Sequence, residues 1–267
     1  MLNLSGIIKK IGLFTLGCII LMLVIGFGNA KSSEAVADPA AIVDSVEGAG
    51  QQWDHLLSIA GLWTQDTMKA TIKWQGEWNS LLAPEEAADV LSSRLGLSAA
   101  DVELVQGHSV YSSYSVKGKL HTKLSVIPQD PGVYYVMLRM EAADPEQVNE
   151  LTQLQLGYGE QLIDEGVKVR WNGALQGVAL NEGDPSQLSE TGLINTIENA
   201  AAQEFNMVQV ESYDDFGTAS RTYEVEGWPI SIFSGAHKVS LQMGVHRNLD
   251  QNSYEISIGS PLLTVEY

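Results

Sequence analysis

The spacing of apolar residues after residue 37 switches between helical and strand-like along the chain. Behind Asp38-Pro39 apolar residues recur at helical intervals, which predicts a helix with Asp38 as its N-cap and Pro39 in its first turn. From residue 68 to residue 74 apolar and polar residues alternate, a pattern typical of a half-buried strand. The polar side of this strand carries Lys69, Thr71 and Lys73.

A second helix and three further strands complete this first group of elements. Pro84 begins the helix, which runs to about Leu95, and Gly96 follows where a left-handed cap is needed. Alternation then predicts strands over residues 102–114, 114–127 and 133–140.

The same order of elements recurs in the second part of the chain. Asp144-Pro145 begins a helix that extends to about Glu165, and Asp184-Pro185 begins another that extends to about Phe205. The predicted strands of this part cover residues 167–171, 207–212, 220–226, 236–245 and 254–258, and the closing LLTVEY is also strand-like.

Three short matches indicate that this recurrence is an internal duplication. Residues 73–76 (KWQG) match residues 170–173 (RWNG) at an offset of 97. The other two matches pair Tyr114, Val116 and Gly118 with Tyr223, Val225 and Gly227 at an offset of 109, and Tyr134, Val136 and Leu138 with Tyr254, Ile256 and Ile258 at an offset of 120. The offset grows along the chain, as insertions in loops would make it.

The pattern therefore predicts an α+β fold made of two helix–strand–helix–three-strand repeats, over residues 38–142 and 143–267. Strands in this order favour antiparallel pairing in a curved sheet, with the helices packed on one face. Edge-to-edge pairing of the two repeats would give one continuous sheet of eight strands and would cover two exposed edges.

The N-terminal segment, residues 1–30, has the features of a signal peptide or membrane anchor. Lys9 and Lys10 precede the uncharged stretch of residues 11–27, and Gly28-Asn29-Ala30 resembles a cleavage site. The apolar stretch suits either cleavage after Ala30 or retention as an anchor, since a span needs roughly 20 residues. Both alternatives place the rest of the chain outside the membrane, connected through a linker at residues 31–37.

Charge and cysteine content restrict the partners and the chemistry. The chain has 15 Lys and Arg against 33 Asp and Glu, a net charge of −18. A surface this negative disfavours nucleic acid and anionic lipid, so we expect no nucleic-acid partner and membrane contact only through the N-terminal segment. The single cysteine, Cys18, lies in that segment, which excludes disulfides and thiol chemistry from the folded part.

No motif for a nucleophile, a metal, a phosphate loop or a dinucleotide is present, so catalytic residues, cofactors and metals are all predicted to be absent. The five histidines are His55, His108, His121, His237 and His246. His121 and His237 occupy similar places in the two repeats, and a spacing of nine sets His237 and His246 on opposite faces of a shared strand. The acids Glu182, Asp184, Asp214 and Asp215 are interpreted as solvated loop residues rather than a Ca²⁺ site.

Trp74 and Trp171 are equivalent residues of the two repeats. If exposed, the pair would form a symmetric patch for a ligand or partner protein. Both continue the apolar side of their strands, which favours a role as core residues. They are the only candidate binding residues that the sequence indicates.

The duplicated unit, the two basic-Trp-amide-Gly segments at residues 73–76 and 170–173, and the closing SIGSPLLTVEY resemble the YwmB family of Gram-positive spore-formers, over residues 40–267. The resemblance implies a saddle-shaped fold similar to the TATA-box-binding protein and no established biochemical role. It does not imply DNA binding, because the charge is of the wrong sign and because Phe205, Phe216 and Phe233 all lie in one half.

Two functions remain open from the sequence. The leading hypothesis is an exported, non-enzymatic envelope protein whose curved sheet binds a peptide, a glycan or a partner protein. The alternative is an extracytoplasmic hydrolase that uses paired carboxylates, for which the 33 acids provide the residues.

Overall fold

The computed structural model describes residues 46–179 and 189–264. Within these ranges the chain forms four helices: α1 (Glu47–Gly61), α2 (Pro84–Arg94), α3 (Pro145–Asp164) and α4 (Glu190–Glu204). The strands of the first half are β1 (Thr64–Asn79), β2 (Asp101–Val105), β3 (His108–Lys117), β4 (Leu120–Asp130) and β5 (Val133–Ala142). Those of the second half are β6 (Lys168–Ala179), β7 (Met207–Asp215), β8 (Thr218–Val225), β9 (Ile232–Ser234), β10 (His237–Val239), β11 (Leu241–Asn248) and β12 (Ser253–Ser260).

Ten of these strands form one antiparallel sheet in the order β2-β3-β4-β5-β1-β6-β12-β11-β8-β7, and β9 pairs with β10 in a separate hairpin. Outward from the β1–β6 boundary, the strands follow the order β1, β5, β4, β3, β2 on one side and β6, β12, β11, β8, β7 on the other. The corresponding strands of the two halves therefore occupy corresponding places in the sheet. Trp74 lies directly opposite Trp171 at that boundary. The two halves therefore share one sheet, and their matching first strands lie side by side at its centre.

All four helices of the described ranges pack on one face of the sheet, called here the helix face. Trp74 donates from Nε1 to the backbone oxygen of Gln155 in α3, at 3.1 Å. Trp53 of α1 contacts Trp171 edge to face, with ring centroids 6.5 Å apart. Tyr134 of β5 donates to the carbonyl of Leu82, just before α2. α4 buries Leu193, Ile194, Ile197 and Ala201, and it packs against β8 and β11.

The local signals that predicted the helices are confirmed at two helix ends. Asp144 is the N-cap of α3, and its side chain accepts from the amide of Gln147. Gly96 follows α2 with a φ of 63°, where a residue with a side chain would be strained. α4 begins at Glu190 with Ser189 as its N-cap, so the described helix has a later N-cap than the expected Asp184.

The predicted number of strands was wrong, because two predicted strands are each divided. Gln106 and Gly107 both have positive φ, and they turn the chain between β2 and β3 within the predicted strand 102–114. Ser240 separates β10 from β11 within the predicted strand 236–245. Because β2 and β3 are separate strands, as are β7 and β8 at the corresponding places of the other half, the sheet has ten strands rather than the expected eight.

The match at an offset of 109 pairs residues that lie on opposite faces. Tyr223 is opposite Leu241 in a row that leads through Ser260 and Gly173 to Ile72, on the helix face. Tyr114 is opposite Lys123, in a row that leads to Lys73 on the other face. The two tyrosines are therefore not equivalent side chains. The closing segment differs from expectation as well, because residues 261–264 follow β12 without forming a strand.

Several predictions fall outside the described residues: the N-terminal segment of residues 1–30 with Cys18, the linker 31–37, the N-cap at Asp38, and the acids Glu182 and Asp184. In the ranges 46–179 and 189–264, no helix combines the length and the apolar composition that crossing a membrane requires.

Candidate functional site: the open face of the sheet

The face of the sheet opposite the helices, called here the open face, has an uneven distribution of charge. Because side chains alternate along a strand, the neighbours of Trp74 point to the open face, and pairing extends this assignment across the sheet. On β4, β5, β1 and β6 the open face carries six cations, called here the cationic tract: Lys69, Lys73, Lys123, Arg139, Lys168 and Arg170.

The cationic tract contains fewer acids than bases. Glu141 pairs with Arg139 at 2.8 Å and with Lys69 at 3.6 Å, and Glu77 pairs with Lys168 at 3.4 Å. Apart from the undescribed side chains of residues 65–67, these two and Asp130 at the end of β4 are the open-face acids of the four strands. A chain with a net charge of −18 thus has a local excess of positive charge at the centre of its sheet.

The other half of the sheet has the opposite charge. On β12, β11, β8 and β7 the open face carries four carboxylates, called here the acidic half: Glu211, Asp215, Glu224 and Glu255. Arg221 lies in β8 on the helix side of the sheet, where its guanidinium bonds Asp214 at 3.0 Å. No Lys or Arg of these four strands points to the open face within the described residues.

Three of the cations form a row across adjacent strands: Lys123 is opposite Arg139, and Arg139 is opposite Lys73. Like charges directly opposite each other destabilise a sheet, by up to about 1 kcal/mol per pair. Tyr114 ends the row, and the ammonium of Lys123 lies 5.2 Å from the centroid of its ring. The pairing of Arg139 with Glu141 offsets part of this repulsion.

Residues 261–264, called here the strap, cross the open face where the cationic tract meets the acidic half. Leu263 donates from its amide to Oε1 of Gln242 in β11, at 3.0 Å. Asn172 of β6 donates to the carbonyl of Leu262 at 2.8 Å and accepts from the hydroxyl of Thr264 at 2.6 Å. Lys73 donates to the carbonyl of Thr264 at 2.9 Å. The strap fixes one end of the cation row.

Polar atoms around the row are buried without a hydrogen-bond partner within the described part of the chain: Oγ1 of Thr71, Oε1 of Gln75, Oγ of Ser112 and Nε of Arg139. Thr71 is 2% exposed and Ser112 is fully buried. A buried polar group without a partner costs about 1–3 kcal/mol. Because these atoms have no exposed surface, they offer no binding group to a ligand on the open face.

Tyr135 borders the tract on β5 and stays protonated to high pH. Burial raises the pKa of its phenol to about 12, and the nearby Arg170 guanidinium opposes part of that rise. Because the hydroxyl keeps its proton, Tyr135 is a hydrogen-bond donor at neutral pH.

The structure brings Trp74 and Trp171 together but buries both. They are 0% and 2% exposed, and Trp171 donates from Nε1 to Oε1 of Gln155 at 2.9 Å. Gly159 of α3 packs against Trp74, since a Cβ at that position would lie 2.6 Å from Cζ2 of the indole. A partner-binding patch at this pair has no exposed surface, and its position indicates a structural role.

The two predicted relationships between the histidines were wrong. His237 lies in β10 and His246 in β11, so they do not share a strand. His121 lies in β4, whose counterpart in the strand order is β11 and not β10. His55 of α1 stacks on Trp228, with ring centroids 5.5 Å apart, and meets Phe205 edge to face. His55 therefore belongs to an aromatic cluster.

The acids near the β7–β8 turn are partly occupied by protein groups. Asp214 bonds Arg221 and Thr191. Asp215 accepts from the amide of Phe216 and from the hydroxyl of Tyr213, and these bonds lower the pKa of its carboxyl. In the described residues, no group of three or more His, Cys, Asp or Glu side chains is placed to hold a metal ion.

Sequence reasoning missed the cationic tract, although its signal was present. Lys69 and Lys73 on β1, and Lys168 and Arg170 on β6, alternate with apolar residues, and Lys123 and Arg139 do the same on β4 and β5. What the sequence does not show is that these four strands are neighbours.

Comparison with known proteins finds no family model that matches and no match among curated proteins. Among solved structures, the chain is similar to that of DynU16, a protein in the dynemicin biosynthetic locus. The two chains share 11% sequence identity with a TM-score of 0.21, and the match covers 70% of this chain and 86% of that chain.

Proposed function

We propose that this chain is an exported, non-enzymatic binding module whose cationic tract holds an anionic ligand outside the membrane. Peptide, glycan and protein are the ligand classes available to an envelope protein. The charge of the tract restricts each class to its anionic members.

One observation carries this proposal: the row Lys123–Arg139–Lys73 at the centre of a strongly acidic chain. The row costs stability through repulsion between neighbouring cations, and an anion bound over it would remove that cost.

The architecture of this module is part of the proposal. The symmetric strand order supports an origin by duplication of a unit of about half the chain. A saddle like that of the TATA-box-binding protein, and membership of the YwmB family, fit one sheet with helices on one side. In this arrangement the open face would be the concave surface that carries the ligand.

A capture experiment with matched variants tests the binding role. The full chain is immobilised and exposed to solubilised envelope material, and bound material is eluted with salt and quantified with and without protease treatment. The variant pair Lys123→Gln and Arg139→Gln is expected to lose the salt-eluted material, while Lys238→Gln, an exposed cation outside the tract, keeps it. Equal capture by the double variant would contradict the proposal.

Export is tested separately by fractionating cells that express the full chain. We expect the chain outside the cytoplasm, where added protease digests it in intact protoplasts. Full protection of the chain in intact protoplasts would contradict export.

The hydrolase alternative has one observation in its favour. A cavity of about 710 Å³ beside the β7–β8 turn is lined by the acids Glu190, Asp215 and Asp250, together with His246. The lowered pKa of Asp215 suits a permanent anion and not the proton donor of a glycosidase. Shortening of glycan chains during the capture experiment, lost in Glu190→Gln, would favour this alternative.

A further inference from the structure

We infer that the free edge of β2 binds an extended partner segment by antiparallel strand addition, and that cationic and apolar residues alternate along this segment. The inference goes beyond the proposed function, because β2 carries none of the cations of the tract. Three features of the described residues carry it: the direction of the main-chain groups of β2, the side chains that β2 exposes, and the difference between the two edges of the sheet.

The turn between β2 and β3 fixes the direction of the main-chain groups of β2. Gln106-Gly107 is a two-residue turn with positive φ at both residues, and it connects Val105 to His108, which pair across the two strands. Such a turn is closed by a bond from the last amide to the first carbonyl, so Val105 is directed toward β3. Alternate residues of an antiparallel pair share this direction. Val102 and Leu104 therefore direct their N–H and C=O groups outward.

Hydrogen bonds at the other end of β3 agree with this direction. The amide of Tyr114 donates to Oγ of Ser98 at 3.0 Å, and the carbonyl of Tyr114 accepts from the amide of Ser98 at 3.0 Å. Ser98 precedes β2 in the chain, so the main-chain groups of Tyr114 point to the β2 side of β3. The alternate residues of β3 that pair with Asp101 and Glu103 share this direction. The free edge of β2 thus offers two donors and two acceptors, at Val102 and Leu104.

The side chains of β2 have a different character on each face of the sheet. On the helix-face side Val102 and Leu104 are 59% and 78% exposed, so no described part of the chain covers them. The open-face side carries Asp101 and Glu103, and residues 98–112 contain no Lys or Arg that would neutralise them. An added antiparallel strand places one residue directly opposite each position. Alternating apolar and cationic residues therefore match this edge.

The two edges of the ten-stranded sheet differ in their protection. The register of β7 shifts between Gln209 and Glu211, and the hydroxyl of Ser234 in the β9–β10 hairpin donates to Glu211 at 2.6 Å. Bulges and covering segments protect an edge against the addition of a strand. β2 pairs with β3 in unbroken register over its whole length. Among the described residues, β2 is therefore the edge that can accept a strand.

A second copy of this chain matches the edge less well than a cationic segment does. With Val102 opposite Leu104 of the second copy, Glu103 would lie opposite its own equivalent, and like charges directly opposite each other destabilise a strand pair. The net charge of −18 adds repulsion between whole chains. Lys or Arg at the position opposite Glu103 replaces this repulsion with attraction.

The test titrates the full chain with a short synthetic peptide in which Lys alternates with Val, and it follows amide hydrogen exchange by NMR. At saturation we expect exchange at Val102 and Leu104 to slow by at least about tenfold, because both amides become hydrogen-bonded. There are three comparison probes. The first is the same peptide with N-methyl groups on its Val amides, which removes its donors to β2. The second has Lys and Val in separate blocks, and the third has Glu in place of Lys.

Two pairs of variants locate the site. Glu103→Lys should weaken binding about tenfold, since an attraction becomes a repulsion. Asp54→Lys makes the same charge change at an exposed acid of α1 and should alter the affinity by less than about twofold, because distant charges are screened. Val102→Pro should weaken binding about tenfold, because proline removes an outward donor while the bonds to β3 remain. Val102→Ile keeps that donor and should bind as the native chain does.

Thermal unfolding shows whether each variant folds. If Val102→Pro does not fold, the N-methylated peptide removes the same kind of bond from the native chain and decides the question. Slower exchange at Val102 and Leu104 with the alternating peptide, and with none of the comparison probes, would support strand addition at β2.

Four results would overturn the inference. The first is no binding, or slower exchange along β7 only. The second is equal affinity for the block or N-methylated peptide, which would show a general attraction to an acidic chain. The third is equal affinity for the Glu peptide. The fourth is protection of Val102 and Leu104 without peptide that rises with chain concentration, which would identify a second copy as the occupant. The capture experiment on the cationic tract is independent of all four.

Discussion

The two halves of the sheet share a strand order but differ in the charge of their open faces. The tract over β4, β5, β1 and β6 carries six cations, and the half formed by β12, β11, β8 and β7 carries four carboxylates and no open-face cation among the described residues. The helix face differs much less, because one continuous apolar core runs beneath both halves. The comparison teaches that one core supports both halves, while their open faces carry opposite charge.

The largest expected effect on stability concerns the apolar core that the two halves share at the β1–β6 boundary. Trp74→Ala should destabilise the chain by about 3–5 kcal/mol, since the indole is fully buried at the β1–β6 boundary. Chemical denaturation measures this, with Leu81→Ala as the control, because that side chain is fully exposed. One cooperative transition is expected; two separate transitions would show that the halves fold as independent units.

The second prediction concerns Tyr135 and the pH dependence of stability. Its pKa is raised to about 12 in the folded chain from 10.0, so its contribution is fully present below pH 10 and is lost as the pH rises through 12. Two pKa units correspond to about 2–3 kcal/mol. Denaturation at several alkaline pH values measures the slope, which Tyr135→Phe should reduce. The same slope in both proteins would contradict this assignment.

The third prediction concerns the strap, which crosses the junction of the two halves. Asn172→Ala removes the bonds to Leu262 and Thr264 and should cost about 1–3 kcal/mol. The matched control is Asn79→Ala, whose side chain is exposed and bonds only Glu77 among the described residues. Equal effects of the two substitutions on unfolding would show that the strap contributes no stability.

The smallest expected effect separates stability from binding in the cationic tract. Lys123→Gln removes a repulsion with Arg139 and also the contact with the ring of Tyr114, and each contributes less than about 1 kcal/mol. The two changes oppose each other, so we expect the free energy of unfolding to change by less than about 0.5 kcal/mol. A large loss of stability would assign Lys123 a structural role instead.

Periodicity predicted the helices and most strands, because amphipathic spacing and cap residues are local signals. Asp144 and Gly96 act at the helix ends where the sequence places them. The turn at Gln106-Gly107 was missed because alternation continues on both sides of it. One continuous sheet through both halves was expected and is observed. The number of strands in that sheet was missed because it depends on this turn.

The candidate site could not be predicted in the same way, because it depends on long-range pairing. Lys123, Arg139 and Lys73 are polar residues of three separate alternating segments, and only the register of β4, β5 and β1 brings them into a row. Net charge does not reveal the local charge of one face either. A value of −18 for the chain argues against anionic partners, but a ligand meets the local charge of one face.

The most direct test of the cationic tract is to map the amide chemical shifts of the full chain during titration with the salt-eluted material from the capture experiment. We predict that the shifts change along β4, β5, β1 and β6 and stay constant along β11, β8 and β7. Shifts confined to the acidic half, or no shifts on the open face, would contradict the central claim that the cationic tract is the binding surface.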